Sequence, residues 1–316
     1  MDHIKKRSNF ERTAKPISFS LRDPDEFRDL AQWDMEIRQL EPGRLKTEVS
    51  VWAGKGLSIL DLSFDKAVHQ VGVSKSGILA FGLPDANSLQ TWLNGSPSQT
   101  AIMRFGGREQ FEGVGASTFS GLTFSLDLSY AERIADESGL DISELLENSD
   151  RSFMGETGQN HATLQRRARQ HIRMRSKPFS DDVEDDLVLT LLEMLVSPDA
   201  WREKRKEKNR NLAAKRASAY MRDHLTDNVS IARICTEIGV SACTLRRAFH
   251  DVYGIGPKQY FLRAKLNMAR AELIKNDPNQ TVSDIANNLG YWHLGQFAKD
   301  YRMFFSELPT QTREGL

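Results

Sequence analysis

Two stretches of the chain, IARICTEIGVSACTLRRAF at residues 231–249 and VSDIANNLGYWHLGQFAKDY at residues 282–301, follow one pattern. Each begins with apolar residues at helical spacing and then reaches a glycine. The matching positions are Ile231, Ile234, Cys235, Ile238 and Gly239 in the first copy and Val282, Ile285, Ala286, Leu289 and Gly290 in the second. A glycine there predicts a left-handed turn that ends one helix before the next begins. Both copies are therefore predicted to be helix-turn-helix motifs.

The second helix of each motif is the recognition helix, the one that can enter a DNA major groove about 12 Å wide. The second copy has one extra residue in its turn, so that Leu245 and Phe249 align with Phe297 and Tyr301 on the core side. Ser241 is expected to cap the first recognition helix. The predicted DNA-contacting residues face outward or lead these helices: Ser241, Ala242, Cys243, Thr244, Arg246, Arg247, His293, Leu294, Gln296 and Lys299.

Among these residues, Arg246 is the strongest candidate for reading a base, because a guanidinium can donate two hydrogen bonds to guanine O6 and N7. Gln296 suits adenine, and Lys299 suits phosphate or guanine. The small residues Ala242 and Cys243 at the start of the first recognition helix indicate that base contacts are few.

One long helix is predicted between the motifs. Pro257 lies in its first turn, and Asn276 and Pro278 mark its end. A helix of about 18 residues spans ~27 Å. It could therefore hold two recognition helices near the ~34 Å repeat of the major groove.

The charge of the chain is unevenly distributed. The whole sequence has 43 Lys and Arg residues against 43 Asp and Glu residues, and this zero balance alone argues against a nucleic-acid partner. Residues 201–316, however, contain 20 basic and 12 acidic residues, which leaves 23 basic and 31 acidic residues in 1–200. The C-terminal part can thus approach phosphates, and the N-terminal part is not expected to.

The C-terminal part resembles the DNA-binding domain of the AraC/XylS family of bacterial transcription regulators. The resemblance covers about 100 residues. It departs from the usual family residues at Gly256, Lys265, Lys299 and Ser306. The residues that carry it are Gly239, Ser241, Leu245, Arg247, Phe249, Gly254, Pro257, Tyr260, Ile285, Ala286, Gly290, Phe297, Phe305 and Pro309.

The N-terminal part reads as short strands separated by glycine-containing turns, which predicts an antiparallel barrel or sandwich. The predicted strands are 46–52, 57–63, 68–73, 77–83, 89–93, 99–105 and 117–126. Helices are predicted from residue 130, with longer ones at about 160–175 and 183–196. By resemblance, this region is a cupin-like sensing and dimerisation domain.

The predicted fold class is therefore α+β, in three parts. Residues 1–196 form the cupin-like effector and dimerisation domain, 197–211 a charged linker, and 212–316 the all-α domain of two helix-turn-helix motifs.

Five N-terminal residues are candidates for binding a small-molecule effector: Trp52, His69, Phe81, Trp92 and Arg104. The aromatic side chains are interpreted first as core packing, with a small-molecule pocket as the alternative, and His69 as a polar strand residue or a single hydrogen-bonding group in a ligand cavity. No metal or other cofactor is expected, because His69 is the only histidine between residues 40 and 130.

Two further features have open alternatives. Cys235 is predicted to be a small buried apolar residue, whereas Cys243 at the DNA face is either a redox or alkylation site or an indifferent surface residue. The segment LQRRARQHIRMRSK at 164–177 contains five arginines that contact either DNA or carboxylates of this chain or a second copy. With only two cysteines and no long apolar segment, the sequence predicts a cytoplasmic bacterial protein at the nucleoid, with no disulfide and no membrane.

These observations predict a sequence-specific transcription regulator, an activator by preference, that is not an enzyme. Its expected partners are double-stranded promoter DNA, RNA polymerase, a small-molecule effector and a second copy of the chain. Two alternatives are open. One is a ligand-independent regulator whose barrel only dimerises or binds a partner protein. The other is an enzyme with an appended DNA-binding domain, although no nucleophile–base pair or phosphate loop is visible.

Overall fold

The structure, a computed structural model, describes residues 17–21, 33–85, 88, 91–93, 96–98, 102–105, 111–115, 117–147, 159–173, 180–196 and 209–315. Within these ranges the strands precede residue 128 and the longer helices follow it, which confirms the predicted α+β class. The described residues group into two compact units. The first is drawn from 1–36, 46–65 and 70–205, and the second from 37–45, 66–69 and 206–316.

The strands form two sheets. They are β1 (Ile17–Leu21), β2 (Trp33–Gln39), β3 (Thr47–Ala53), β4 (Leu57–Phe64), β5 (Val68–Ser74), β6 (Ile78–Pro84), β7 (Thr91–Leu93), β8 (Ser96–Ser98), β9 (Met103–Phe105), β10 (Phe111–Gly115) and β11 (Phe119–Asp127). The larger sheet has the order β1-β3-β4-β11-β6-β9, and the smaller β2-β5-β10-β7-β8. Every strand pair with a described register is antiparallel.

All seven predicted strands correspond to observed ones, although parts of those predicted at 89–93 and 99–105 lie outside the described residues. In the larger sheet, β11 pairs with β4 on one side and β6 on the other, so that Phe124 lies opposite Ile59 and Phe81. All three side chains are buried in one apolar cluster. The core of the larger sheet therefore consists of apolar residues of the predicted strands.

Among the described residues of the first unit, four helices follow β11. They are α1 (Leu128–Ser138), α2 (Ser143–Glu147), α3 (Gln159–Arg173) and α4 (Asp181–Val196). The carboxylate of Glu184 near the start of α4 is buried and accepts hydrogen bonds from the backbone N–H groups of Lys55, Gly56 and Leu57, at 2.8–2.9 Å. One residue of the acidic DDVEDD run thus ties α4 to the turn between β3 and β4.

The arginine-rich segment, where it is described, makes ion pairs within the first unit. Arg169 donates to Asp61 at 2.9 Å and to Asp85 at 2.8 Å, and Arg167 pairs with Asp186. Burial raises the pKa of Asp85, but hydrogen bonds from Arg169 and Ser120 outweigh it, and the net pKa lies below the ordinary value. Two of the five arginines therefore act as the carboxylate-pairing interpretation expects.

Arg169→Lys should destabilise the first unit by about 2 kcal/mol, because an ammonium point charge cannot replace the planar fork that reaches both carboxylates. Urea denaturation of the full chain measures this as a lower transition midpoint. Arg166→Lys, on the exposed face of α3, is the matched control and should leave the midpoint unchanged. Equal midpoints for the two variants would show that the ion pairs of Arg169 with Asp61 and Asp85 contribute no stability.

The second unit consists mainly of seven helices in the described part of the chain. They are α5 (Asn209–Asp223), α6 (Ile231–Ile238), α7 (Ala242–Tyr253), α8 (Pro257–Lys275), α9 (Val282–Asn288), α10 (Leu294–Phe305) and α11 (Pro309–Glu314). The long helix α8 has Pro257 in its first turn and ends at Asn276, which is left-handed with φ 49°. Its 19 residues confirm the predicted connecting helix.

Two short N-terminal segments belong to this second unit. Gln39 exchanges two 3.0 Å hydrogen bonds with the side-chain amide of Asn267, one through its backbone N–H and one through its carbonyl oxygen. The described units thus differ from the predicted domain boundaries at 37–45 and 66–69. Most of the predicted linker, residues 197–208, lies outside the described residues.

No described helix is both long enough and apolar enough to cross a membrane.

Candidate nucleic-acid interface

The first helix-turn-helix motif is built from α6 and α7 and is fixed by backbone caps. The Ser230 hydroxyl caps α6, and Gly239 ends it with φ 70°. The amide of Val240 donates back to the Cys235 carbonyl at 3.0 Å, which closes the turn. Ser241 then caps α7 by accepting a hydrogen bond from the Thr244 amide. The predicted cap is therefore observed.

The second motif repeats this design with α9 and α10. Thr281 and Asp284 form a capping box at the start of α9. Gly290 has φ 80°, and the amide of Tyr291 donates to the Ala286 carbonyl at 3.0 Å. This hydrogen bond is the counterpart of the one from Val240 to Cys235, so the sequence repeat is also a repeat of the turn.

Helix α8 packs against both motifs. Near its start, the Tyr260 ring lies 5.2 Å from that of Phe249 and 4.6 Å from that of Tyr253, between ring centroids. Its later residues Leu266, Ala269 and Leu273 belong to the buried cluster that also contains Phe297 and Tyr301. A single helix thus supports both recognition helices, and at 1.5 Å per residue it is about 28 Å long.

The predicted DNA-contacting residues all lie at the surface of these helices or at their first turns. Thr244 is half-buried, because its hydroxyl and amide both contact Ser241. The other nine are exposed: Ser241, Ala242, Cys243, Arg246, Arg247, His293, Leu294, Gln296 and Lys299. Their placement fits the prediction, and their contacts with DNA remain a prediction.

The two recognition helices differ in the freedom of their polar side chains. Within the described part of the chain, Arg246 and Arg247 have no ion pair or hydrogen bond through their side chains. Gln296, by contrast, donates to the Asp300 carboxylate at 2.6 Å. Asp300 also brings a negative charge to this face, which sequence reasoning missed. A guanidinium on α7 is therefore ready to bind an acceptor, while Gln296 must first leave Asp300.

The end of the second recognition helix is anchored by a buried polar network. Arg270 of α8 donates to Glu307 at 2.5 Å, and Thr312 of α11 hydrogen-bonds both Glu307 at 2.5 Å and the Tyr301 hydroxyl at 2.8 Å. Burial raises the pKa of Glu307, but the hydrogen bonds from Thr312 and Arg270 outweigh it, so the net pKa is below the ordinary value. Burial likewise raises the pKa of Tyr301, to about 12. This network was also not predicted, because Arg270 lies 37 residues before Glu307 in the sequence.

Three of the five candidate effector residues, Trp52, Phe81 and Arg104, belong to the first unit. Trp52 and Phe81 are buried in the core cluster of the first unit, and Arg104 pairs in register with Phe81 and donates to the Leu145 carbonyl at 2.7 Å. His69 belongs to the second unit, where its Nδ1 lies 2.8 Å from the Tyr260 hydroxyl. The side chain of Trp92 lies outside the described residues.

The two cysteines differ as predicted. Cys235 is buried and Cys243 is exposed. Burial raises the pKa of the Cys235 thiol, in keeping with its predicted role as a small buried apolar residue.

The comparisons with known proteins agree with this geometry. A family model described as a helix-turn-helix domain matches residues 234–315. The XylDLEGF operon transcriptional activator of Pseudomonas putida is 35% identical over 105 residues, which cover 32% of this chain and 32% of the relative. The C-terminal domain belongs to the AraC/XylS family.

Other similar proteins match over different shares of the chain. The HTH-type transcriptional regulator ExsA of Pseudomonas aeruginosa is 25% identical over 105 residues, 33% of this chain and 37% of the relative. A solved AraC family regulator of Rhodopseudomonas palustris is 27% identical, with a TM-score of 0.31, and covers 33% of this chain and 96% of that chain. ToxT of Vibrio cholerae is 10% identical, with a TM-score of 0.33, and covers 90% of this chain and 99% of that chain.

The chain spans about a third of the length of the first curated relatives that it matches. The shared part is the AraC/XylS domain, which contains both recognition helices.

Glu307→Gln should lower the free energy of unfolding by about 2–4 kcal/mol, because it leaves the Arg270 guanidinium without its partner. The loss should shrink as the pH falls. The folded pKa of Glu307 lies below the ordinary 4.5, so the carboxylate stabilises fully above about pH 4.5 and less as the pH falls through the folded pKa.

Urea denaturation followed by circular dichroism at 222 nm, between pH 3 and pH 7, measures both effects. Glu272→Gln, whose carboxylate pairs with exposed Lys275, is the control and should cost less than about 1 kcal/mol at any pH. If the free energy of unfolding lost in Glu307→Gln did not change with pH, the charge of Glu307 would not be what stabilises the helix.

Proposed function

We propose that this chain is a DNA-binding transcription regulator that reads one duplex with two recognition helices. The observation that supports this most strongly is the exposure of α7 and α10 on a single scaffold helix, each with its outward polar side chains uncovered. The net positive charge of residues 201–316 supports it independently, because counterion release from phosphates favours a basic surface. The AraC/XylS membership of the domain points to the same partner.

In the proposed complex, the first turns of α7 and α10 lie in successive major grooves. Arg246 makes a bidentate contact with a guanine, while Arg247 and Lys299 contact phosphate or a further guanine. Ser241, Ala242, Cys243 and Thr244 bring the start of α7 against the duplex. His293 and Leu294 do the same for α10. Gln296 reads adenine when it exchanges Asp300 for the base.

The proposed sign of regulation is activation, with RNA polymerase as partner. The relative in Pseudomonas putida is named a transcriptional activator, and the chain resembles it only in the DNA-binding domain. A regulator acting on bacterial promoter DNA would work in the cytoplasm, at the nucleoid. The relatives that match are regulators rather than enzymes, which supports a role without catalysis. The described residues hold no group of three or more potential metal ligands.

We further propose that residues 1–196 dimerise and bind a small-molecule effector, with residues 212–316 as the responding DNA-binding domain. Arg104 supports an effector site, because it is a buried guanidinium on a strand that pairs in register with Phe81 of the apolar cluster. An effector would act by binding one of two states of the chain more tightly than the other.

The ligand-independent alternative has its own supporting observation. Trp52 and Phe81 are both 2% exposed or less and pack among the buried aliphatic residues of the first unit. Side chains packed in this way stabilise the core, as the ligand-independent alternative expects. A barrel that only dimerises or binds a partner protein would need nothing more.

Arg246→Ala should cost about 1–3 kcal/mol in binding and relax selectivity at one base pair of the site. Lys299→Ala should weaken binding to all duplexes alike and reduce the dependence of log K on log salt by about 1 if it contacts phosphate. The measurement is a selection from a random duplex library with the full chain, followed by fluorescence anisotropy titrations at several salt concentrations.

Lys275→Ala removes one positive charge from the end of α8 and is the matched control. Its effects on the selected sequence and on the salt slope should both be smaller than those of the recognition-helix variants. If Arg246→Ala selected the same sequences with the same affinity as the parent chain, α7 would not be a recognition helix.

The effector proposal predicts that a small organic anion in a thermal-shift screen raises the Tm of the full chain by about 5 °C at a hundredfold excess over its Kd. An anion is chosen because a buried guanidinium favours negative charge. Arg104→Met should abolish that shift and any effect of the anion on duplex affinity. An anion that shifts the Tm of both chains equally would place the site elsewhere, and a screen without any shift would favour the ligand-independent alternative.

A further inference from the structure

The largest exposed apolar side chain in the described part of the chain lies at the entrance of the second recognition helix. Trp292 is 78% exposed. It directly precedes His293, the N-cap of α10, and Leu294 two residues later is also exposed, at 43%. Two large apolar side chains thus lie in water at the end of the helix that is positioned to meet a ligand. Exposed apolar groups of this kind mark binding surfaces.

The repeated turn explains why Trp292 points outward. The amides of Val240 and Tyr291 make equivalent hydrogen bonds, so these two residues occupy the same position in the two turns. Tyr291 packs its ring at 5.1 Å from that of Phe297, between centroids, and supplies the inward apolar contact of the turn. The second turn is one residue longer. Trp292 is that extra residue, and no core position remains for it.

The surroundings of Trp292 determine what kind of partner fits it. Within the described part of the chain, its indole makes no hydrogen bond or ring contact. Lys299 lies exposed on the recognition helix that Trp292 precedes. An exposed apolar ring at the entrance of a recognition helix matches the thymine edge of the major groove, which presents the apolar C5-methyl group.

We propose that Trp292 is a specificity-determining residue that packs its indole ring against a thymine methyl group in the half-site of the second recognition helix. This inference rests on the proposed function. It gives the two motifs different chemistry. The first motif reads with the guanidinium of Arg246, and the second adds the apolar contact of Trp292 to the adenine contact that Gln296 makes once it leaves Asp300. The bound site is therefore asymmetric, with a guanine in one half and a thymine in the other.

The test uses the full chain and the duplex recovered from a random library by the parent protein. Trp292→Ala should lower affinity for that duplex about tenfold and remove the preference for thymine at one base pair, leaving the guanine preference of the other half unchanged. Replacing that thymine by deoxyuridine, which lacks only the methyl group, should weaken the parent chain about fourfold and Trp292→Ala not at all. Trp292→Phe should retain most of the preference.

Met303→Ala is the matched control, since Met303 is 68% exposed near the far end of the same helix. It should bind as the parent chain does. The salt slope of Trp292→Ala should equal that of the parent chain, because no charge is removed.

The proposal is overturned if Trp292→Ala selects the same thymine, or if deoxyuridine weakens both chains equally. It is also overturned if Trp292→Ala changes only the oligomeric state, as measured by sedimentation, since Trp292 would then contact a second copy. A parent chain that selects no sequence at all would instead refute the proposed function, so the two failures are distinguishable.

Discussion

The arrangement of the second unit depends on the packing of α8 against both motifs. Its first half contacts Phe249 and Tyr253 through Tyr260, and its second half shares a buried cluster with Phe297 and Tyr301. A helix is stiff over this length, so the two recognition helices are fixed relative to a single rod. Because both sides of α8 are occupied, a change in its core contacts would be felt in both motifs.

The charge division of the sequence has a structural counterpart in how the arginines are used. In the first unit, Arg167 and Arg169 are paired with carboxylates of the same unit. Arg246 and Arg247 in the second unit have no such partner among the described residues. Basic residues in the acidic part therefore contribute to folding, whereas those on α7 keep their donors for a ligand.

The sequence predicts the second unit closely, because the signals there are local. Ser241, Gly239, Pro257 and Asn276 each mark a helix end within one turn of where it occurs. The strands β1, β2, β8 and β10 were not predicted. β2 reads WDMEIRQ, in which charged residues interrupt the apolar pattern, and β8 is three residues long and contains Pro97. Whether such segments form strands depends on pairing partners that are distant in sequence.

Parts of the candidate interface also lay beyond sequence reasoning. The interaction of Gln296 with Asp300 needs rotamers that no pattern specifies, and the network of Arg270, Glu307 and Thr312 joins three helical regions. The exposure of Trp292 could have been found from the sequence. It follows from the one-residue difference between the two turns, once Tyr291 is recognised as the residue that faces inward.

The central claim is that α7 and α10 read one duplex from a common scaffold. A hydroxyl-radical footprint of the full chain on the selected duplex tests it most directly. The account predicts paired protected segments whose centres lie about one helical turn, roughly 10 base pairs, apart. The claim would be contradicted by a single protected segment, if the DNA sequence one helical turn away also had no effect on affinity.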